Sequence, residues 1–170
     1  MIPTVLDNPR LVPALILGVS LGALAAALTS QYWGGLQPCV LCIYQRWAYV
    51  GAAAFGASGV LLGGMPGGRR LMVALAGLAF LAGAGIAFFH VGVEQQWWRG
   101  TAECHAPAFD PNMSIADLRK QMLGTRFVSC DEIPWSLFGL SIAGYNVIAS
   151  LGLAVAAFWA ARRMARTAAG

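Results

Sequence analysis

The chain has 170 residues, 58% of them hydrophobic and only 11% charged, with a mean hydropathy of +0.65. Soluble domains carry about 25% charged residues, so this composition excludes an ordinary water-soluble fold and places the chain in a bilayer. The net charge of +4 is not interleaved with aromatics along one face, which gives no ground for nucleic-acid binding.

Four apolar segments, 11–30, 43–62, 71–93 and 137–161, reach the roughly 20 residues that a helix needs to cross a membrane. The first and fourth carry no charge, the second only Arg46, and the third no formal charge but His90. Ala25, Ala26 and Ala27 give the first segment small residues near its end. Its apolar run nevertheless exceeds the usual 7–15 or so of a signal peptide, and it reads as an anchor. Arg10, Arg69, Arg70, Arg162, Arg163 and Arg166 all flank one side of the predicted spans. Connector 31–42 has neither Lys nor Arg, and connector 94–136 has four basic and six acidic residues. By the positive-inside rule both termini are cytoplasmic and all four cysteines lie outside or at the outer interface, where disulfides persist. The expectation is an all-α membrane protein: one integral domain over 1–170, a four-transmembrane-helix bundle with a long outer loop.

In the first span Gly18 and Gly22 have the small-xxx-small spacing that lets helices approach closely in lipid. The chain leaves the membrane through Tyr32 and Trp33 and returns through Pro38-Cys39-Val40-Leu41-Cys42-Ile43-Tyr44-Gln45-Arg46. A Cys-x-x-Cys pair closes and reopens a small disulfide ring. Thiols at a helix N-terminus feel unpaired N–H groups and the positive end of the dipole, which favour the thiolate. With a helix starting near Cys42, Arg46 lies one turn along on the same face, placed to hold an anion. The plain alternative is an arginine that snorkels to the headgroups. The run 63–68, Gly-Gly-Met-Pro-Gly-Gly, makes a tight turn. His90 ends the third span near the same outer boundary. It reads either as a hydrogen-bonded core residue paired with Glu94 one turn on, or as a donor to a bound carbonyl.

The connector 94–136 is far longer than usual and carries Trp97, Trp98, Cys104, His105 and Cys130. Within it, Ser114-x-x-Asp117 resembles a capping box, and Ile115, Leu118 and Met122 recur at helical spacing. A short amphipathic helix over 114–123 is expected, on the membrane surface or packed in the loop. In the fourth span Asn146 is the one strong hydrogen-bonding side chain deep inside.

Three readings of the cysteines compete. A structural zinc site needs a second close pair, and Cys104 and Cys130 lie far apart in sequence. A Cys104–Cys130 staple would contribute roughly 3–4 kcal/mol by loop entropy, yet it leaves a tight CxxC ring beside an arginine unexplained. In a relay, a loop disulfide is attacked by a soluble partner's thiolate and then reoxidised by the membrane pair through a mixed disulfide. Making disulfides needs a terminal acceptor, and in a bilayer the available two-electron acceptor is a quinone. Its headgroup would sit at the outer ends of spans two and three, with developing charge held by Arg46 and His90.

These features, together with Pro134-Trp135-Ser136-Leu137-Phe138-Gly139-Leu140 after the loop, make the whole chain resemble the bacterial disulfide-bond formation protein family DsbB. The resemblance implies an inner-membrane enzyme that reoxidises a periplasmic DsbA-like thioredoxin-fold partner. Cys104, Cys130, Cys39 and Cys42 would be redox-active, Arg46 would assist the cofactor, ubiquinone or menaquinone, and His90 would lie near it. Partners of the DsbA type are strong oxidants, about −120 mV, so the acceptor must lie above that. The residue before the arginine, glutamate in a well-known member, is Gln45 here. Two rival readings stand beside this one. The first is a quinone-linked reductase running the other way, as in vitamin K epoxide reductase-like proteins; the second is a non-catalytic four-span scaffold with a stapled loop. A haem bundle is set aside, because two histidines, one of them in the loop, cannot ligate paired haems.

Overall fold

In a computed structural model of the chain, residues 8, 10–62, 64–104, 114–115, 119 and 128–167 are described. Four helices take up the apolar segments: α1 Leu11–Tyr32, α2 Val40–Leu61, α3 Pro66–Glu94 and α4 Ile142–Thr167. The Asn8 side chain accepts a hydrogen bond from the Arg10 N–H at 3.0 Å just before α1. Pro13 is tolerated in the first turn of α1, where backbone N–H groups have no intrahelical partner. Pro66 opens α3 in the position its fixed φ suits best. A 3-10 turn, Ala102–Cys104, follows α3.

α3 is the central element, with α2 and α4 packed along it and α1 packed on α2. The core is built from Val12 and Ile16 of α1, Tyr49 and Ala52 of α2, Val73, Ala76 and Phe80 of α3, and Ala154 and Ala157 of α4. The Tyr49 and Phe80 rings meet edge to face at 5.8 Å. Leu15, Leu21, Leu78, Leu81, Ile148 and Val155 point outward, an apolar surface suited to lipid. Leu11–Tyr32, Pro66–Glu94 and Ile142–Arg166 are long and apolar enough to cross a membrane. Where four such helices were expected, α2 equals α1 in length, 22 residues each, but carries Tyr44, Gln45 and Arg46 in its opening turns.

Two further expectations are corrected. The fourth helix begins at Ile142 rather than at 137, because residues 136–141 form a hairpin with β1 Ser136–Leu137 antiparallel to β2 Leu140–Ser141. Its two turn residues, Phe138 and Gly139, have φ of 49° and 79°, the left-handed pair that a tight hairpin demands and a helix excludes. Ser141 then caps α4, its Oγ accepting from the Gly144 N–H at 3.1 Å. Close helix approach also does not use Gly18 and Gly22, which face open space. It uses Gly56 and Gly59 of α2 against Pro13 of α1: a Cβ on Gly56 would sit 2.9 Å from the Leu17 nitrogen and 3.0 Å from the Pro13 carbonyl oxygen. The amphipathic helix expected over 114–123 falls almost entirely outside the described residues, as does His105.

Backbone atoms cannot step aside as a flexible side chain can. Gly56→Ala should therefore separate α1 from α2 and destabilise the protein by about 1–3 kcal/mol. Gly18→Ala should be neutral or slightly stabilising through helix propensity. Thermal unfolding in detergent, followed by circular dichroism, separates the two.

Candidate redox site

Pro38 delivers the chain to Cys39 in an extended conformation, φ −75° and ψ 173°, and the helix starts at the next residue. Cys39 is therefore the N-cap of α2, its sulfur accepting the Cys42 backbone N–H at 3.4 Å. The helix begins before Cys42 rather than at it. Cys39 holds the cap position and Cys42 lies in the first turn, facing the same end of the dipole. The two sulfurs are 3.2 Å apart and both are thiols. Cys104 and Cys130 are joined in a disulfide. Both pairs fall in one packed cluster with Leu41 and Val93, so four cysteines distant in sequence share a single buried site. The loop disulfide, expected to be open to a partner, has its residues only 1% and 0% exposed. A cavity of about 300 Å3, lined by Trp97, Arg99, Gly100 and Cys104 among others, reaches it.

His90 bridges the two pairs. Its Nε2 lies 3.5 Å from the Cys39 sulfur and 3.2 Å from the Cys130 carbonyl oxygen. Glu94, one turn further along α3, approaches the same nitrogen at 3.8 Å, as the spacing anticipated, and accepts the Ser141 hydroxyl on its other oxygen. On the far side of the ring, Nδ1 is 3.0 Å from Gln45 Nε2. The Gln45 amide oxygen accepts from Asn146, and the Asn146 oxygen accepts from Tyr49 at 2.8 Å and Ser150 at 3.0 Å. The sequence singled out Asn146 but did not mark Gln45, Tyr49 or Ser150 as members of the site. The available signal was spacing: Gln45 and Tyr49 share a face of α2, and Asn146 and Ser150 share a face of α4.

Arg46 is half-buried and makes no hydrogen bond to a cysteine. Its guanidinium donates to Gln31 Oε1 at 2.6 Å and to the Ala27 carbonyl at 3.3 Å, both on α1. It lines a cavity of about 560 Å3 together with Cys39, Cys42, His90 and Asn146, and Leu24 and Ala149 contribute apolar wall. Tyr44 donates to Glu103 at 2.6 Å, pinning the 3-10 turn that carries Cys104 to the start of α2.

The family Disulfide bond formation protein DsbB matches residues 9–160. The chain belongs to that family. A disulfide bond formation protein B from Saccharophagus degradans is 30% identical over 169 residues, 95% of this chain and 98% of that protein. Its counterpart in Xanthomonas axonopodis pv. citri is 32% identical, over 86% of each chain. The one from Methylobacillus flagellatus is 34% identical over 79% of this chain and 81% of its own. Membership of the DsbB family, together with three helices apolar enough to span, makes this a multi-pass membrane protein.

Cys39 precedes α2 and lies outside the spanning segment. A hydrogen bond from the Cys42 thiol, opposed by burial and aided by the hydrogen bond to His90, holds its pKa at about 4 against an ordinary 9.0. The thiolate therefore persists from neutral pH down to about 4 and is lost only below that. In the reduced protein, alkylation of Cys39 by iodoacetamide should stay nearly flat from pH 8 to about 5, followed by mass spectrometry. A rate that drops tenfold per unit throughout that range would mean an ordinary thiol.

Proposed function

We propose that this chain is a thiol:quinone oxidoreductase that regenerates the disulfide of a DsbA-like periplasmic partner. The observation that carries this reading is the packing of both cysteine pairs in one buried cluster, joined by His90, with Cys39 and Cys42 also lining the larger cavity. The partner's thiolate attacks the Cys104–Cys130 disulfide and leaves as an oxidised protein, its two electrons now on the loop pair as a dithiol. A loop thiolate then opens the Cys39–Cys42 disulfide through a mixed disulfide, which restores the loop bond and leaves the dithiol on α2.

The larger cavity fits a flat ring with polar edges and an apolar tail: Arg46 presents N–H donors, His90 lies in the lining, and Leu24 and Ala149 supply apolar wall. A bound ubiquinone or menaquinone would supply the two-electron sink. Arg46 acts there by holding negative charge on an oxygen in the cavity, a task for a cation fixed in place by α1. Cys42, one turn before it, presents sulfur to the same space. The partner reaches the buried loop disulfide through the smaller cavity beside Trp97 and Gly100.

This function requires the cysteines on the oxidising side of the membrane. The arginines beside α1, between α2 and α3 and at the end of α4 support cytoplasmic termini in a bacterial inner membrane. α2, packed between α1 and α3, then serves as a fourth span whose polar opening turns face the site rather than lipid. The whole of 1–170 forms one membrane domain on this reading.

Purified protein in detergent, given quinone and a reduced thioredoxin-fold partner, should reduce quinone only while the partner is present. Cys104→Ser should abolish that reaction, and retained turnover would overturn the loop-to-membrane path. Faster flow from quinol into the partner's disulfide would make the chain a reductase instead. Arg46→Ala should raise the KM for quinone roughly tenfold or more, with the partner's KM unchanged, because one charge-assisted hydrogen bond is lost. An unchanged quinone KM would return Arg46 to a snorkelling role.

A further inference from the structure

One arrangement of protons satisfies the hydrogen bonds around His90 with a neutral ring. The Cys130 carbonyl oxygen can only accept, so Nε2, 3.2 Å away, carries a hydrogen. In the neutral ring Nδ1 is then bare and needs a donor, which Gln45 Nε2 supplies at 3.0 Å. That orientation turns the Gln45 oxygen towards the Asn146 NH2 group. It in turn leaves the Asn146 oxygen for the hydroxyls of Tyr49 and Ser150, at 2.8 and 3.0 Å. Neither amide reverses alone; the two reverse together only with hydrogens on both ring nitrogens, Tyr49 and Ser150 then accepting from Asn146. A flipped Gln45 would set its oxygen against a bare nitrogen and its NH2 against the NH2 of Asn146. Gln45, Tyr49 and Ser150 are 6%, 8% and 0% exposed, so solvent has little access to them, while Asn146 is partly exposed to the larger cavity.

We propose that Gln45 and Asn146, seated on Tyr49 and Ser150, are positioning residues that hold His90 as the neutral Nε2–H tautomer. His90 is thereby a fixed hydrogen-bond donor to the Cys39 sulfur, 3.5 Å away, and not a base that removes its proton. Its significance rests on the proposed redox role of Cys39 and Cys42: whenever negative charge develops on Cys39, an N–H is already aimed at it. Glu94, the other group facing Nε2, is itself an acceptor there and has its second oxygen engaged by Ser141, so it reinforces the same tautomer. A carboxylate at position 45 would reverse the logic, since it accepts only. Nδ1 would then need a hydrogen while Cys130 still requires one on Nε2, and the ring would be held doubly protonated.

The test is the 15N spectrum of the imidazole in reduced, histidine-labelled protein in nanodiscs. A His105→Gln background leaves His90 as the sole histidine. Two-bond proton–nitrogen correlations should show a protonated Nε2 and a bare Nδ1. Gln45→Glu should convert the ring to the doubly protonated form. Ser150→Ala should leave the tautomer unchanged, because Tyr49 still donates to Asn146, whereas Tyr49→Phe combined with Ser150→Ala should give a mixture of tautomers. Cys39 alkylation in that double variant, at a pH near its midpoint, should slow by about twofold, because the rings that keep the Nε2–H still offer Cys39 its hydrogen bond. A wild-type ring with its hydrogen on Nδ1 or with hydrogens on both nitrogens, or a Gln45→Glu spectrum identical to wild type, would overturn the assignment. The spectrum needs neither quinone nor partner. The hydrogen on Nε2 supports the assignment even where no turnover is found, in which case the electron path alone falls.

Discussion

A buried polar group in an apolar bundle has no water to bond, so each one must find a protein partner, and the cost of failing is on the order of 1–3 kcal/mol. His90 is the point where that requirement gathers the structure. Its ring nitrogens reach Gln45 on α2 and the Cys130 carbonyl in the loop, and Gln45 reaches Asn146 on α4. One side chain on α3 thus fixes the register of two other helices and of a loop residue. Glu94, a turn away, extends the same obligation to Ser141, which caps α4 and ends the hairpin before it. Packing of small residues brings the helices together; the polar contacts decide their register.

The loop is held against this framework at several points. Tyr44 ties Glu103 to α2, Ser129 donates to the Cys104 carbonyl at 3.2 Å, and the disulfide closes the loop between them. Trp98 stacks on Phe89, donates to its carbonyl at 2.9 Å, and covers Gly92 so closely that a Cβ there would collide with the indole. This aromatic lid seats the start of the loop on the end of α3. The arrangement explains how a long connector presents a disulfide to the helix N-terminus.

Much of this was legible in the chain. Apolar runs gave the helices, the Cys-x-x-Cys string marked the start of α2, and His90 and Glu94 stood one turn apart as a pair. Other features were hidden for physical reasons. The apolar residues 137–140 look like the opening of a span, and only the left-handed pair Phe138-Gly139 turns them into a hairpin. Gly18 and Gly22 have the spacing of a helix contact but lie on the outward face of α1, whereas the contact is made by Gly56 and Gly59. Spacing identifies a face without saying what lies opposite it. The partnership of Gln45 with Asn146 spans about a hundred residues of sequence and is set by packing alone.

The placement of Arg46 shows why the site needs two separate helpers. A full positive charge on the thiol pair would stabilise its reduced state further than neutral donors do and hold the electrons there. Here its guanidinium is drawn to Gln31 and the Ala27 carbonyl on α1, so its charge sits in the lining of the cavity. Cys39 is served instead by the α2 N-terminus, the Cys42 thiol and the His90 ring, all without net charge on the proposed tautomer. On the proposed reading the neutral donors make one sulfur a stable thiolate, and the cation acts on the acceptor. A cation that stabilises the reduced acceptor rather than the thiols raises the acceptor's potential against theirs, and each 30 mV of that difference corresponds to about 1.4 kcal/mol for a two-electron couple.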